Sequence, residues 1–394
     1  MNFIHEAKQI SEELIYIRRE FHENPELDFD LYKTSDRIKN FLRNENIEFY
    51  SCAGTGVVAT IYGEAGNSNG KTIAIRCDMD ALPLEEKNSH CYTSKIIGKM
   101  HACGHDAHMT MVLGSAKLLN NHRKELEGNI KFIFEPAEET TGGARIMIEE
   151  GALETPHVDA IIGCHVDENL AVGTIGLKQG VAYAASNPFS ITIYGKGAHG
   201  ASPHKGIDPI VIASQVISAL QLLVSRETNP VSPVVITIGT INGGTAANII
   251  PDKVTITGII RTMNLEDREY MKNRLKEVVT MQVESLRGTC EITIDESYPC
   301  LYNDDNMYNI FYDNSVSLLG KDKVKILREP TMGVESFAYF SLKVPAVFYQ
   351  LGCGNPEKGI IYPLHSSKFD IDEECLQIGV AVHCNMAVNY LKKL

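Results

Sequence analysis

Residues 100–108 read Met-His-Ala-Cys-Gly-His-Asp-Ala-His, which places three histidines, one cysteine and one carboxylate in nine positions. Imidazole and thiolate are ligands for divalent ions such as zinc, and Gly104 between Cys103 and His105 allows a tight backbone turn. The residues after Asp106 are mostly apolar, which predicts a buried helix. The stretch is therefore predicted to be a loop that delivers metal ligands at the start of a helix. The alternative is a helix N-terminus capped by Asp106 beside histidines with no shared role.

The composition narrows the class of protein. A chain of 394 residues predicts two or three domains, and its 44% hydrophobic content favours compact folding. Lys and Arg total 37 against 50 Asp and Glu, giving a net charge of -13, and no basic run is interleaved with aromatic residues. We therefore expect neither nucleic acid nor an anionic membrane as a partner.

The chain carries no recognisable signal for export or membrane insertion. Residues 1–18 have acidic residues within their apolar pattern, which predicts an amphipathic helix and not a signal peptide, and no apolar run approaches bilayer length. The ten cysteines are scattered without regular spacing, so we expect reduced thiols and a cytoplasmic protein.

Strand and helix patterns alternate along the first part of the chain. Periodicity predicts helices at 4–21, 34–44 and 143–150 beside the helix after Asp106, and a Gly/Asn/Ser turn at 67–70. Short apolar, β-branched runs predict strands at 56–62, 72–77, 130–134 and 160–164. This alternation indicates an α/β fold with a mostly parallel sheet covered by helices.

Acids or imidazoles follow three of these strands. Asp78 and Asp80 follow the second strand, where they either cap a turn or support metal-bound histidine. Glu138 and Glu139 follow the third strand, and adjacent carboxylates point in different directions, so one can bind a metal while its neighbour faces a substrate. His165 ends the fourth strand. Because ligands bind at the carboxyl ends of parallel strands, these side chains are candidates for one site.

The pattern changes near residue 187. Residues 187–296 read strand, helix, strand, strand, helix, strand, which is the βαββαβ order of a ferredoxin-like domain. We predict a catalytic domain formed by 1–186 and 297–394 and an inserted lid domain formed by 187–296. His199 and Asn248 lie in glycine-rich loops of the insert, and His365 is a lone histidine in a later loop.

These motifs together resemble the dinuclear metallopeptidase family of aminoacylases, desuccinylases and carboxypeptidases. The chain looks most like its amidohydrolase branch, which includes hippurate hydrolases, indole-acetyl-amino acid hydrolases and N-acetyl-diaminopimelate deacetylases. The resemblance rests on Arg-Arg-Glu-Phe-His-Glu-Asn-Pro-Glu at 18–26, Arg-Cys-Asp-Met-Asp-Ala-Leu-Pro at 76–83, the 101–108 motif, Glu-Pro-Ala-Glu-Glu at 135–139 and the His365 loop. The branch usually has Glu-Asp-Phe where this chain has Glu-Ser-Phe at 335–337.

The resemblance implies a site and its cofactors. Two divalent ions (Mn, Zn, Co or Ni) would be bound by five ligands, with the first as the bridging thiolate: Cys103, His105, Glu139, His165 and His365. Glu138 would be the catalytic base, and the lid residues His199, Asn248 and Arg261 would meet the substrate. Such proteins often form homodimers through the lid.

The implied activity is hydrolysis of the amide bond of N-acyl amino acids to a carboxylic acid and a free amino acid. A water held between the metals would lose its proton to Glu138 as it attacks, and His199 would bind the oxyanion. Arg261 would bind the substrate carboxylate. A metallo-carboxypeptidase or dipeptidase of the same family is the alternative. A metal-free hydrolase with Cys103 as nucleophile would leave Glu139, His165 and His365 unexplained.

Overall fold

The computed structural model describes residues 1–65 and 70–392, so most of the turn predicted at 67–70 lies outside the described residues. The chain divides into two compact units. The larger unit comprises 1–182, 302–329 and 336–394, and the smaller unit comprises 183–301 and 330–335.

The helices agree with the predicted periodicity except at the start of the chain. The helix predicted at 4–21 is two helices, because Ile10 (φ −101°, ψ 10°) leaves the helical region, a one-residue break that apolar periodicity does not reveal. The α-helices are α1 (Phe3–Gln9), α2 (Ser11–His22), α3 (Tyr32–Asn44), α4 (His105–Asn121), α5 (Gly143–Glu149), α6 (Pro209–Leu222), α7 (Leu265–Ser285), α8 (Asp305–Leu319), α9 (Ala338–Ser341) and α10 (Glu374–Lys392).

The strands include every predicted one and several short ones that the sequence did not reveal. They are β1 (Glu48–Cys52), β2 (Gly56–Ile61), β3 (Thr72–Asp78), β4 (Asn129–Glu135), β5 (Ala160–Ala171), β6 (Ile175–Leu177), β7 (Gly180–Tyr183), β8 (Ala185–Tyr194), β9 (Ala198–His199), β10 (Val234–Gly243), β11 (Ile249–Ile250), β12 (Lys253–Thr262), β13 (Thr289–Ile294), β14 (Leu301–Asn303), β15 (Val324–Ile326) and β16 (Ala346–Gly354). The strand predicted at 160–164 is longer than expected, since it continues to Ala171, so His165 lies within it and not at its end.

The larger unit is built on an eight-stranded sheet in the order β1-β2-β4-β3-β5-β16-β6-β15. The central strands β4, β3, β5 and β16 run parallel, whereas β2 and β6 on either side of them run antiparallel to their inner neighbours. The fold is therefore mixed α/β with a large, mostly parallel sheet. The helix α4 is buried along most of its length and packs against α2, α10 and β3.

The register of the parallel strands brings their carboxyl ends to one edge of the sheet. Asp78 at the end of β3 pairs with Glu135 at the end of β4, and Arg76 pairs with Gly163 of β5, two residues before His165. Polar side chains at these strand ends are thereby placed beside one another.

The smaller unit has an antiparallel four-stranded sheet in the order β10-β12-β8-β13. Its elements follow one another as strand, helix, strand, strand, helix, strand, if the two-residue strands β9 and β11 are set aside. The helices α6 and α7 pack against this sheet through a core that includes Ile212, Leu220, Met271 and Val279.

One helical segment is more apolar than the sequence analysis expected. Residues 209–227 are helical, long and apolar enough to cross a membrane by length and composition alone, so the expectation that no apolar run approaches bilayer length was wrong. One third of its most apolar stretch is buried. Part of that apolarity therefore belongs to the core of the smaller unit, where Ile212, Val216 and Leu220 are buried.

Candidate metal centre

The loop before α4 has the tight turn that the sequence predicted. Gly104 precedes the first residue of the helix with φ 82°, a left-handed conformation. A Cβ atom at this position would lie 2.4 Å from Cγ2 of Val166. Conformation and space both require glycine here, and this turn places Cys103 and His105 on either side of it.

Cys103, His105 and His165 form one group of potential ligands. Their donor atoms all lie within 4.8 Å of one another, and Cys103 Sγ is 3.3 Å from His165 Nε2. His165 Nδ1 lies 2.7 Å from the carbonyl oxygen of Val166. Donation of the Nδ1 proton to this carbonyl leaves the Nε2 lone pair directed toward Cys103, as a metal ligand requires.

Cys103 belongs also to a second group, which contains Glu139 and His365. Glu139 Oε1 lies 3.3 Å from His365 Nε2 and 3.8 Å from His105 Nε2. His365 has a left-handed backbone (φ 63°), and its N–H donates to the carbonyl of Ala102. Because Cys103 is shared, the five predicted ligands form two adjoining groups.

Unsatisfied buried atoms point toward these two groups. Both ring nitrogens of His105 and Oε1 of Glu139 are buried without a hydrogen-bond partner in the described part of the chain. Buried polar atoms ordinarily have partners. Thiolate, imidazole and carboxylate are together a set that binds Zn²⁺ and similar divalent ions. The residues therefore fit a pair of divalent ions that share Cys103.

The charges of this cluster depend strongly on burial. Burial alone would raise the pKa of Glu139, but the nearby imidazole of His365 and the charge of His105 lower it to about 2. Burial also lowers the pKa of His108 to about 4, although Asp78 opposes this shift. Near neutral pH, Glu139 is therefore an anion and His108 is a neutral imidazole.

Asp80 contacts the candidate ligands His105 and Glu139 on the side away from their metal-facing atoms. Its two carboxylate oxygens accept hydrogen bonds of 3.0 Å from the backbone N–H groups of Glu138 and Glu139. Its Oδ1 also lies 3.5 Å from His105 Nδ1. The sequence left open whether this acid caps the turn after its strand or supports a histidine, and these contacts with Glu138, Glu139 and His105 favour the supporting role.

His108 is fixed between two elements of the larger unit. Its Nδ1 lies 2.7 Å from Asp78 Oδ1, and its Nε2 accepts the backbone N–H of Val166 at 3.0 Å. Asp78 in turn accepts from Arg76 Nη1 at 2.9 Å. The third histidine of the motif thus holds β5 in place and adds no ligand to the two groups.

Sequence reasoning missed a buried network that reaches Glu138. The backbone N–H of Ser336 donates to Glu138 Oε1 at 3.2 Å, and the Ser336 hydroxyl lies 2.6 Å from Glu135 Oε1 and 2.7 Å from Arg76 Nη2. One feature of the sequence could have indicated this network, namely Arg76, a charged residue within an otherwise apolar strand. Its partner Ser336, 260 residues away, is where the chain departs from the usual Glu-Asp-Phe pattern.

The smaller unit brings His199 and Asn248 together. His199 of β9 pairs with Ile249 of β11, and the carbonyl of Asn248 accepts the N–H of Gly200 at 2.7 Å. His199 is exposed and lines an open pocket of about 820 Å³ with the glycine-rich loop that begins at Gly243. These two predicted lid residues are therefore neighbours.

Arg261 lies at the other end of this sheet. It sits near the end of β12 opposite Ser186, whereas Lys253 at the start of β12 pairs with Tyr194, close to the loop that leads to His199. Lys253 and Arg261 are eight positions apart along β12, roughly 26 Å at the usual rise. One small substrate cannot contact both Arg261 and His199 of one copy of this unit.

The fold and the donor groups define a mixed α/β protein with a candidate dinuclear metal centre at the carboxyl ends of its parallel strands. The chain belongs to peptidase family M20/M25/M40, whose family model matches residues 74–389. It is therefore a hydrolase of that family, and the resemblance inferred from the sequence motifs is confirmed.

Three known proteins illustrate the relationship. The chain is 38% identical to thermostable carboxypeptidase 2 of Saccharolobus solfataricus over 98% of both chains. It is 40% identical to N-acetyl-L-cysteine deacetylase of Bacillus subtilis, over 93% of this chain and 85% of the relative. A solved dinuclear metal-binding peptidase of the M20 family from Bacillus subtilis superimposes with a TM-score of 0.85 and 34% identity, over 98% of this chain and 100% of the other.

Proposed function

We propose that this protein is a metal-dependent amidohydrolase that converts N-acyl amino acids, such as N-acetyl or N-benzoyl derivatives, to a carboxylic acid and a free amino acid. The observation that carries the proposal is the pair of donor groups sharing Cys103, with Glu138 next to the candidate ligand Glu139. A relative named as a deacetylase supports the choice of an acyl amide as substrate.

The side chains divide the work between metal binding and proton transfer. Cys103, His105, Glu139, His165 and His365 would hold two divalent ions, which would polarise the scissile carbonyl and lower the pKa of a water toward ~7. Glu138 accepts the proton of the attacking water and then delivers it to the leaving amine. The hydrogen bond from Ser336 N–H to Oε1 holds the Glu138 carboxylate in one orientation for both transfers.

A metal-free thiol mechanism fits the site less well. Burial and the charge of Glu139 raise the pKa of Cys103 well above its usual range, so its thiol is protonated when no cation is present. A thiol nucleophile needs a lowered pKa or a base that takes its proton. Cys103 thus suits a metal ligand, which loses its proton when a cation binds.

A carboxypeptidase is the second candidate activity. The specific observation in its favour is the relative from Saccharolobus solfataricus that is named as a carboxypeptidase. The two activities share the metal centre and the base. In both, an amino acid with a free carboxylate lies on the nitrogen side of the scissile amide, and they differ in whether the carbonyl side is a small acyl group or a peptide chain.

Metal removal tests the proposal. After chelation the protein should release no amine from acetyl, benzoyl or succinyl amino acids, and Zn²⁺, Mn²⁺, Co²⁺ or Ni²⁺ should restore release. Cys103→Ala should lose activity and bound metal together because both donor groups contain this thiol. The matched control is Cys52→Ala, a buried cysteine of β1 outside the metal groups, which should keep its metal. Full activity of protein shown by elemental analysis to be metal-free would exclude the proposal, and preferential cleavage of peptides would favour the carboxypeptidase.

We further propose that the smaller unit is a ferredoxin-like lid and that the active form is a homodimer joined through it. The edge strand β10 carries exposed residues along most of its length, and an edge of this kind presents unpaired N–H and C=O groups with which a second copy can pair. The separation of His199 from Arg261 within one lid supports a site to which two copies contribute. The ten free cysteines support the cytoplasm as its location.

Arg261 is proposed to bind the free carboxylate of the substrate. Its Nη1 is buried and has no hydrogen-bond partner in the part of the chain that the structure describes. A planar guanidinium in this state is suited to a carboxylate.

Arg261→Ala should therefore lower kcat/KM for N-acyl amino acids about 10- to 100-fold, which is the loss of one charge-assisted hydrogen-bonded pair. The kcat/KM for the matching N-acyl amino acid amides, which lack the free carboxylate, should fall much less in this variant. The control Arg274→Ala removes an arginine of α7 whose partners are Glu227 and Glu277. Equal losses on acids and amides would assign Arg261 a structural role.

A further inference from the structure

Beside the candidate dinuclear centre, the larger unit contains a separate cluster of His22, Glu86 and His90. Glu86 Oε1 lies 3.2 Å from His22 Nε2 and 3.3 Å from His90 Nε2. The three donor atoms lie within 4.8 Å of one another. His90 Nε2 is also 3.7 Å from Asp370 Oδ2. None of these four residues belongs to the five candidate ligands of the dinuclear centre.

His22 is oriented as metal-binding histidines are. Its Nδ1 lies 2.6 Å from Asp106 Oδ2, so a carboxylate accepts the proton of one ring nitrogen while the other nitrogen faces Glu86. Carboxylate, histidine and metal in this order are a recurring arrangement, because the carboxylate fixes the ring and increases the basicity of the ligand nitrogen.

The ring nitrogens of His90 make no hydrogen bond with the described part of the protein, residues 1–65 and 70–392. Both of them are buried. The ring is nevertheless held in place, since it stacks on Tyr92 with centroids 3.8 Å apart and an angle of 15°. A fixed imidazole with two unsatisfied nitrogens indicates that a ligand is missing from its surroundings.

The third component, Glu86, is also held rigidly. Its Oε2 accepts the backbone N–H of Ser94 at 2.7 Å, and its Oε1 accepts from the Asn88 amide at 3.1 Å. These bonds direct Oε1 between the two imidazoles. The carboxylate is therefore oriented before any ion binds, which reduces the entropy lost on binding.

Negative charges outnumber positive charges around the cluster of His22, Glu86 and His90. Four carboxylates face two arginines, so two negative charges remain when both histidines are neutral. The members are Glu86, Asp106, Asp370 and Glu373 on one side and Arg18 and Arg19 on the other. A divalent cation would balance this excess.

We propose that His22, His90 and Glu86 bind a third metal ion of the Zn²⁺ type, separate from the two ions of the candidate dinuclear centre. Two imidazoles and one carboxylate are a set that Zn²⁺ takes with a fourth position left for water or another carboxylate, here Asp370. The two nitrogen ligands favour such an ion over Mg²⁺ or Ca²⁺, which prefer oxygen. The ion would connect α2 to the segment that holds Glu86 and His90.

Counting bound Zn²⁺ tests the proposal. Protein stripped with a chelator, reloaded with Zn²⁺ and freed of excess metal should contain three ions per chain by elemental analysis. His90→Phe keeps an aromatic ring to stack on Tyr92 but removes both ring nitrogens, and it should contain two. The matched control His157→Phe alters an exposed histidine outside the cluster and should contain three.

Two further variants keep the result independent of the dinuclear centre and of folding. If His90→Phe is unstable, Glu86→Gln provides the same test. This variant retains the size of the side chain and should also contain one Zn²⁺ fewer than the wild type. In a Cys103→Ala background, the ion that remains should disappear on addition of His90→Phe. A wild-type protein with two ions, or equal Zn²⁺ content in wild type, His90→Phe and Glu86→Gln, would overturn the third site. If only the proposed dinuclear centre were wrong, the wild type would still contain one Zn²⁺ more than His90→Phe and Glu86→Gln.

Discussion

Replacing Glu138 by glutamine is expected to reduce turnover ~10²–10⁴-fold while the protein keeps its metal ions, because this is the usual contribution of a general acid-base group. Glutamine has the same size and can accept the same hydrogen bond from Ser336 N–H through its amide oxygen. The backbone N–H of residue 138 remains bound to Asp80. Only the capacity to accept and release the proton is lost. Initial rates of amine release, measured together with metal content per chain, give the result.

The neighbouring residue provides the matched control. Glu139→Gln changes the same chemical group one position away, but Glu139 Oε1 faces His365 and His105 in the donor groups. That variant should lose affinity for one ion and regain part of its rate at high metal concentration. Glu138→Gln should gain nothing from added metal. Wild-type turnover in Glu138→Gln would remove this residue from the mechanism.

Removal of the His199 side chain should lower turnover ~10²–10³-fold, about 3 kcal/mol, if the imidazole stabilises the oxyanion as one donor. The N–H of Ala201 donates to His199 Nδ1 at 3.0 Å, so the proton of the neutral ring is on Nε2. The exposed Nε2–H is thus available as a donor. His199→Ala should bind both ions normally, because His199 belongs to none of the donor groups.

Mixing two inactive variants tests whether His199 serves the neighbouring copy. His199→Ala and Glu138→Gln chains should form heterodimers in which one of the two composite sites is intact. Random exchange makes about half of the dimers mixed, so roughly a quarter of wild-type activity should return. Mixing His199→Ala with a chain that carries both substitutions forms no intact site and is the control. Background activity after proven subunit exchange would place His199 in its own chain or outside the reaction.

Much of the fold followed from local patterns, and the exceptions share a physical cause. The strands β3 and β4 were predicted because short apolar, β-branched runs mark them in the sequence, and the structure buries all of β3 and all but the first residue of β4. The strand β1 was missed because four of its five residues are at least partly exposed, so it lacks an apolar run. Its position is decided by pairing with β2. Short edge strands of this kind depend on tertiary contacts more than on their own composition.

The site was predictable in its ligand types but not in its supporting contacts. Cys103 and His105 stand at a helix start, where the motif identifies them, whereas His165 was predicted at a strand end but lies within β5, which continues to Ala171. The hydrogen bond between Ser336 and Arg76 joins positions 260 residues apart, and that between Ser336 and Glu138 joins positions 198 residues apart. No spacing rule covers such contacts, because they arise only when the sheet and the later loops come together.

The packing of α4 has a consequence for the order in which the protein matures. The helix that starts at His105 packs against α2, made early in synthesis, and against α10, which begins at Glu374. The candidate ligand His365 is also made late. A nascent chain of 182 residues therefore contains α2, β3 and four of the five ligand candidates, but it lacks α10, which also packs against α4. Loading of a complete metal centre would follow synthesis of these last segments, and the part of α4 that α10 covers is exposed until then.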